Sequence, residues 1–421
     1  MGHSSPRKPS PSMFAPWMAP DSLSPRTLRE HCPRLGLALY ASCAGSERPT
    51  GYPLKSRKIG VLLCILLWTG TGDSQPKAEQ IDALFKMVKP DTPGAAVLVL
   101  QDGRTVFERG YGVTDLRTKS RIDEQTNFRL ASLTKQFTAM SIMLLVHDGK
   151  LRYDETLTEV FPEFPAYGKK ISIRQLLNHT SGLLDYEDIM AKQYGNTPDD
   201  QIPQISDAGV LALMEKASSA QFPPGSKWQY SNSGYCVLAR VVEKVSGEKF
   251  GDFLAERIFA PLKMPSTLAY EKGVNEVPHR AYGHTPDGAS FRQTDQSSTS
   301  ATLGDGGVYT SLTDLARWDK ALAQHTLLSE KEMQPALTAV HPSGGAEENG
   351  QPVSYGFGWF LNPYKGHQRM WHYGETIGFR TSIQRFPKDH LTVVVLSNRA
   401  DMNAIQSALD IADLYLGIDH P

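Results

Sequence analysis

Two short apolar runs near opposite ends of the 421-residue chain constrain its fold more than any other feature: Ala95–Gln101 (AAVLVLQ) and Leu391–Leu396 (LTVVVL). Each has strand length, is bounded by turn residues and reads as a buried strand. Asp102-Gly103 is a hairpin turn from which Thr105–Glu108 returns, and Gly110-Tyr111-Gly112 continues the meander. At the other end Arg380–Phe386 reads as a strand and Pro387–His390 as the turn before Leu391. Helices are predicted at Lys77–Val88 and Asp401–Leu416. The clearest helix is Leu133–His147, where Leu133, Phe137, Met140 and Leu144 share one face and Gly149 is the stop. From about Leu151 to Tyr364 the pattern is mixed. Amphipathic helices (Ala208–Lys216, Tyr235–Ser246, Leu312–Ala323) are separated there by long polar loops such as Gly273–Ser300 and Pro342–Pro352. The expectation is an α/β fold of the α+β kind. One sheet is assembled from both chain ends and covered by the terminal helices, with a helical region inserted between, in a single domain over residues 77–418.

Charge divides the chain at its N-terminal side. Residues 1–58 carry nine Lys or Arg against three Asp or Glu, whereas the whole chain has a formal net charge of −1. Lys55, Arg57 and Lys58 precede the apolar run Ile59–Trp68 (IGVLLCILLW), followed by the small residues Thr69–Gly72. That order over residues 55–72 is the order of a secretory signal, and the run falls well short of the roughly 20 residues that span a bilayer. Leu63 is too large for Cys64 to serve as a lipoprotein anchor. Residues 1–54, rich in Pro, Ser and Arg and without periodicity, read as a disordered or non-native extension, with translation starting nearer Leu54. The mature chain is then secreted or periplasmic, keeps no membrane anchor and retains Cys236 as its single cysteine. No CxxC or HExxH occurs, so neither a metal nor another cofactor is expected. With 21% charged residues and no basic tract in the mature part, nucleic acid is not an expected partner.

A serine hydroxyl becomes a useful nucleophile only when a base takes its proton. In S-x-x-K on a helix, serine and lysine share a face, and desolvation can lower the lysine pKa. The pattern occurs at Ser5, Ser74, Ser132 and Ser246, but only Ser132, with Lys135, opens a long apolar helix, where its own N–H is free to bind an oxyanion. Tyr230-Ser231-Asn232 supplies a phenol to relay protons and an amide to hold substrate. His372-Tyr373-Gly374 supplies a hydrogen-bonding residue followed by a glycine that lets substrate backbone approach an edge strand. His179, in His179-Thr180-Ser181-Gly182, reads as a loop-shaping residue.

With ASLTK (Ala131–Lys135), YSN (Tyr230–Asn232) and HYG (His372–Gly374) in this order, the sequence resembles the serine β-lactamase and penicillin-binding protein superfamily. It is most similar to the class C β-lactamase-related branch with its DD-peptidases, D-aminopeptidases and esterases. The flanks LLNHTSGL (Leu176–Leu183), PPGSKWQYSNSGY (Pro223–Tyr235) and GDGGVYTSLTDLARW (Gly304–Trp318) match as well. The resemblance implies an antiparallel sheet with helices on both faces and an acyl-enzyme mechanism. Ser132 is then the nucleophile, and Lys135 and Tyr230 manage its proton. The N–H groups of Ser132 and of Glu375, after Gly374, hold the oxyanion. Asn232 and His372 position the substrate and tune the charge around Tyr230, and Gly374 lets the substrate approach; the substrate is a small molecule or peptide with an amide or ester carbonyl.

One departure bears on substrate. The third motif of β-lactamases is usually K-T-G, and here His372 stands for the lysine, a weaker anchor for a substrate carboxylate. Strong β-lactamase activity is therefore not the favoured reading, and DD-peptidase, D-aminopeptidase and short-chain esterase stay open. Outside enzymes, the alternatives are a penicillin-binding sensor that acylates without turnover and a pseudoenzyme.

Overall fold

The computed structural model describes residues 74–345, 347–348 and 351–418. The expected extension and signal segment lie outside them. Five strands form one antiparallel sheet: β1 (Ala95–Gln101), β2 (Arg104–Tyr111), β3 (Met370–Thr376), β4 (Phe379–Phe386) and β5 (Leu391–Ser397), in the order β3-β4-β5-β1-β2. The two apolar runs are direct neighbours, from Ala95 opposite Ser397 to Gln101 opposite Leu391.

Side-chain alternation explains why these runs are almost wholly apolar. Ala95, Val97 and Val99 of β1, with Val393 and Val395 of β5, pack with Ile81 of the Ser74–Leu84 helix, Phe85 just after it and Ile411 of the Ala404–Leu416 helix. The intervening Ala96, Leu98, Val394 and Leu396 join the large core on the opposite face, which includes Leu130, Phe137 and Trp318. Each buried Val or Leu contributes roughly 1.5–3 kcal/mol, so a polar residue on either face of β1 or β5 is destabilising.

The Leu133–His147 helix differs from its expected form in two ways. Residues Ala131–Thr134 form a 3-10 turn, and the α-helix runs Lys135–His147. Every residue from Lys135 to Leu145 is buried, so the helix passes through the middle of the molecule instead of presenting one apolar face. The periodicity marked only its most apolar side, because Thr138 and Ser141 are buried as well, each bonding a carbonyl. The Gly273–Ser300 stretch, expected as loop, contains a hairpin of His284–Asp287 with Ser290–Gln293.

A small three-stranded sheet places the Ser132 turn. Phe128–Arg129 pairs with Val308–Thr310, which also pairs with Leu268–Ala269. The Gly304–Gly307 loop is thereby held against the turn. Thr138 Oγ1 donates to the Gly304 carbonyl, and Arg129 Nε donates to that of Gly306. The entry into the turn is constrained too, since Ala131 takes φ +49°, an uncommon conformation for a non-glycine residue.

Candidate active site

Ser132 lies in the 3-10 turn with part of its surface open, and Lys135, one turn on, is fully buried. Lys135 Nζ is 3.0 Å from Ser132 Oγ, 2.9 Å from Asn232 Oδ1 and 3.0 Å from the Asp305 carbonyl oxygen. The amide oxygen and the carbonyl accept hydrogen bonds and cannot donate them. A neutral amine gives its two N–H bonds to those acceptors and keeps its lone pair toward the Ser132 hydroxyl. Burial pushes the Lys135 pKa down to about 8, against the opposing pull of Asp305, Glu187 and Asp185.

Asn232 is held in that orientation from its other end. Its Nδ2 donates to Glu187 Oε1 at 3.0 Å. Glu187 sits in the first turn of the Tyr186–Tyr194 helix, whose N-cap, Asp185, accepts from the Glu187 N–H at 2.7 Å. Burial, with Asp185 and Asp305 nearby, raises the Glu187 carboxyl to about 7. The chain Ser132–Lys135–Asn232–Glu187 is therefore one continuous hydrogen-bonded line.

The Tyr230–Asn232 motif has a local structural logic. Ser231 is the N-cap of the Asn232–Ser246 helix, its Oγ accepting from the Gly234 N–H at 3.1 Å. Tyr230 thus ends the loop and Asn232 opens the helix. The Tyr230 ring centroid is 4.9 Å from Lys135 Nζ, and the His179 ring packs on it at 4.4 Å. His179 Nδ1 accepts from the Ser231 N–H at 3.1 Å, and its own carbonyl accepts from the Gln229 N–H. The loop-shaping role expected of His179 takes this concrete form: it fixes the segment that carries Tyr230. Burial holds its imidazole well below the usual histidine range, so it is neutral.

His372 lies beneath Tyr230, with ring centroids 6.1 Å apart. It has no exposed surface, and its Nε2 is 3.1 Å from the Tyr355 hydroxyl. Burial, aided by Lys135, lowers its pKa to about 3. His372 is expected to position substrate and to tune the charge around Tyr230; here it is fully buried and packs under Tyr230. A fully buried neutral imidazole offers no cation to a substrate carboxylate. The motif lies in the middle of edge strand β3.

Gly374 has a different reason from the expected one. A Cβ at this position would stand 2.1 Å from the Leu130 carbonyl oxygen and 3.1 Å from Ala131 Cβ. The glycine makes room for the chain's own Ser132 turn. Glu375 follows on the free edge of the sheet. Trp371, of the same strand parity, exchanges both backbone hydrogen bonds with Phe360 and so turns them away from β4. The Glu375 N–H points the same way, off the edge beside the Ser132 turn. Its side chain instead pairs with Arg380, 3.7 Å away.

Four buried or half-buried groups escaped the sequence reading: Glu187, Asp305, Tyr355 and Asp207. Glu187 lies four residues beyond LLNHTSGL, and Asp305 lies inside the GDGG flank, so both were near recognised text. Tyr355 had no signal. Asp207, Cys236 and Asp305 place three possible metal-ligand atoms within 4.8 Å of one another. The Asp207 oxygens accept from the Leu303 and Gly304 N–H groups, and burial raises its carboxyl to about 7 and the Cys236 thiol well above its ordinary value. A protonated thiol and a carboxyl engaged with backbone suit a hydrogen-bonded knot under Lys135 better than they suit a metal.

Comparisons with known proteins place the chain in a family. The Beta-lactamase family model matches residues 80–416. Penicillin-binding protein 4* of Bacillus subtilis (strain 168) is 32% identical over 349 residues, covering 80% of this chain and 75% of the relative. The octameric penicillin-binding protein homologue from Pyrococcus abyssi superposes with a TM-score of 0.70 at 24% identity, covering 81% of this chain and 77% of that one. D-amino acid amidase from Ochrobactrum anthropi SV3 shares the fold at a TM-score of 0.67 and 22% identity, covering 82% and 98% of the two chains. The chain belongs to the β-lactamase family and is a serine hydrolase of the β-lactamase and DD-peptidase kind.

Proposed function

We propose that this chain is an exported hydrolase that opens amide or ester bonds through an acyl-enzyme on Ser132, and that β-lactams carrying a carboxylate are not its preferred substrates. The observation that carries the chemistry is the placement of Lys135 Nζ, 3.0 Å from Ser132 Oγ and bonded to the two acceptors Asn232 Oδ1 and the Asp305 carbonyl. Ser132 Oγ attacks the carbonyl carbon while its proton passes to the neutral Lys135 amine. The developing oxyanion is received by the N–H groups of Ser132 and Glu375. As the tetrahedral intermediate collapses, the carbon–nitrogen or carbon–oxygen bond breaks and the leaving group takes up that proton, relayed through Tyr230. Water then attacks the acyl carbon, gives its proton to the same pair and releases the acid with Ser132 restored.

The substrate preference is supported by His372. Where a lysine would offer a cation, this site has a buried neutral imidazole. Export is supported by the basic cluster and apolar run at residues 55–72. No helix among the described residues is long and apolar enough to cross a membrane. Turnover of a chromogenic short-chain ester, a D-amino-acid amide and a fluorescent penicillin tests the reading. Multiple turnovers of ester or amide, absent in Ser132→Ala, are expected. A penicillin adduct that persists with no turnover of any substrate would favour the sensor and sink the proposal. N-terminal sequencing of the protein from its native host tests export, with a start near Asp73 expected and recovery from Met1 contradicting it.

A further inference from the structure

We propose that Asp207 is a positioning residue for the reaction: it clamps together the loop and the helix that supply the two acceptors of Lys135 Nζ, and so keeps the lone pair of that amine aimed at Ser132. This rests on the proposed acyl-enzyme reading, with Lys135 as the base.

The first support is what Asp207 holds. Its side chain is buried at the start of the Asp207–Glu215 helix. Its Oδ2 accepts from the Leu303 N–H at 2.9 Å and its Oδ1 from the Gly304 N–H at 3.2 Å. The next residue, Asp305, gives its carbonyl to Lys135 Nζ. The same carboxylate takes a hydrogen bond from the Cys236 thiol, which burial keeps protonated. Cys236 lies four residues after Asn232 on the Asn232–Ser246 helix, hence on the same face, and Asn232 Oδ1 is the other acceptor of Lys135 Nζ. One carboxylate is therefore bonded to both carriers.

The second support is that the task requires a carboxylate. The other fasteners of this loop hold carbonyls: Thr138 Oγ1 donates to that of Gly304, and Arg129 Nε to that of Gly306. Two successive N–H groups are received by the two oxygens of one carboxylate, whereas an amide has one oxygen and would turn its NH2 on the second N–H. The loop also lies directly on the helix, because a Cβ on Gly304 would stand 2.4 Å from the Tyr235 carbonyl oxygen and 2.7 Å from Ala239 Cβ. A shift of either carrier moves one acceptor of Lys135 against the other, and a misplacement of about 1 Å costs on the order of a hundredfold in rate. Burial and Asp305 raise the Asp207 carboxyl to about 7, still below the value of about 8 for Lys135. Asp207 is thus ionised, and accepts all three bonds, where Lys135 is neutral and active.

Single-turnover acylation by a chromogenic short-chain ester at about pH 9 tests this, read as a rate constant at saturation, a half-saturating concentration and an amplitude. Asp207→Asn is expected to lower the rate constant about tenfold or more, with the half-saturating concentration within about twofold of the wild type. Cys236→Ala, which removes one bond of the three, should lower the rate constant about twofold or more, and Cys236→Ser should restore it. A carboxylate that served stability alone would lower the amplitude and the Tm and leave the rate constant of the remaining active molecules unchanged; that result overturns the inference. So does a loss confined to the half-saturating concentration, which would place Asp207 in substrate binding. If Asp207→Asn does not fold, the cysteine variants decide: a wild-type rate constant in Cys236→Ala, or a loss that Cys236→Ser does not restore, overturns the clamp. Acylation that persists in Ser132→Ala or Lys135→Met defeats the proposed function itself, whereas acylation that needs both residues but is unchanged in Asp207→Asn defeats only the role of Asp207.

Discussion

Replacing Asp305 by Asn shifts the pH dependence of the enzyme toward acid. Lys135 acts as a base only when neutral, and its pKa is about 8 as the balance of burial, which lowers it, and nearby carboxylates, which raise it. Asp305 is the largest of the opposing charges. Asparagine keeps the backbone carbonyl that receives Lys135 Nζ and keeps an acceptor for the Tyr186 hydroxyl, so the change removes charge with little change of shape. At an effective dielectric constant of about 20, a charge at this range acts on the ammonium with on the order of 1–2 kcal/mol, which corresponds to about one pH unit. The assay is kcat/KM for a neutral short-chain ester between pH 5 and pH 9, which reports the free enzyme. The wild-type rate should rise about tenfold per pH unit and level off near pH 8. In Asp305→Asn the same limb should level off near pH 7, making the variant several-fold faster at about pH 6. A limb that stays in place, or moves to higher pH, would refute the assignment of Lys135 as the titrating base.

Three further outcomes are expected. Burial depresses the Lys135 pKa in the folded state from the ordinary 10.5 to about 8, so the penalty is complete below pH 8 and is relieved as pH rises to 10.5. In urea titrations, the wild type should therefore gain ~3 kcal/mol relative to Lys135→Met across that window, and no change in the difference would contradict a buried depressed lysine. Gly374→Ala forces a Cβ onto the Leu130 carbonyl, so kcat/KM should fall at least about a hundredfold with a lowered Tm, because edge strand and nucleophile turn are pushed apart. Wild-type activity in that variant would contradict the packing explanation. Tyr355→Phe removes the partner of His372 Nε2 and should lower stability by about 1–3 kcal/mol and slow the reaction, both read from one purified sample, whereas an unaffected rate would show that His372 does not support Tyr230.

Much of this was legible in the sequence, for identifiable reasons. The β1 and β5 runs were readable because burial on both faces makes Ala95–Leu100 and Val393–Leu396 apolar without interruption. Ser132 and Lys135 were readable because the S-x-x-K spacing coincides with the start of an apolar helix. Tyr230 and Asn232 stand one on each side of a serine helix cap, which is a local pattern. The burial of His372 was not readable, since it depends on Tyr355 and Phe360, which come from a loop whose course no local rule gives. The Leu130 neighbour of Gly374 was not readable either, because only the folded chain brings Leu130 against β3. Glu187 and Asp305 act on Lys135 across more than 40 residues of chain, and their influence is purely spatial.

The most direct test of the central claim is mass analysis of the enzyme quenched in acid during steady-state turnover of an ester. The account predicts that the acyl mass is found on the peptide containing Ser132, that it disappears after substrate is exhausted, and that Ser132→Ala shows neither adduct nor turnover. An acyl group located on any other residue, or turnover that survives in Ser132→Ala, contradicts it.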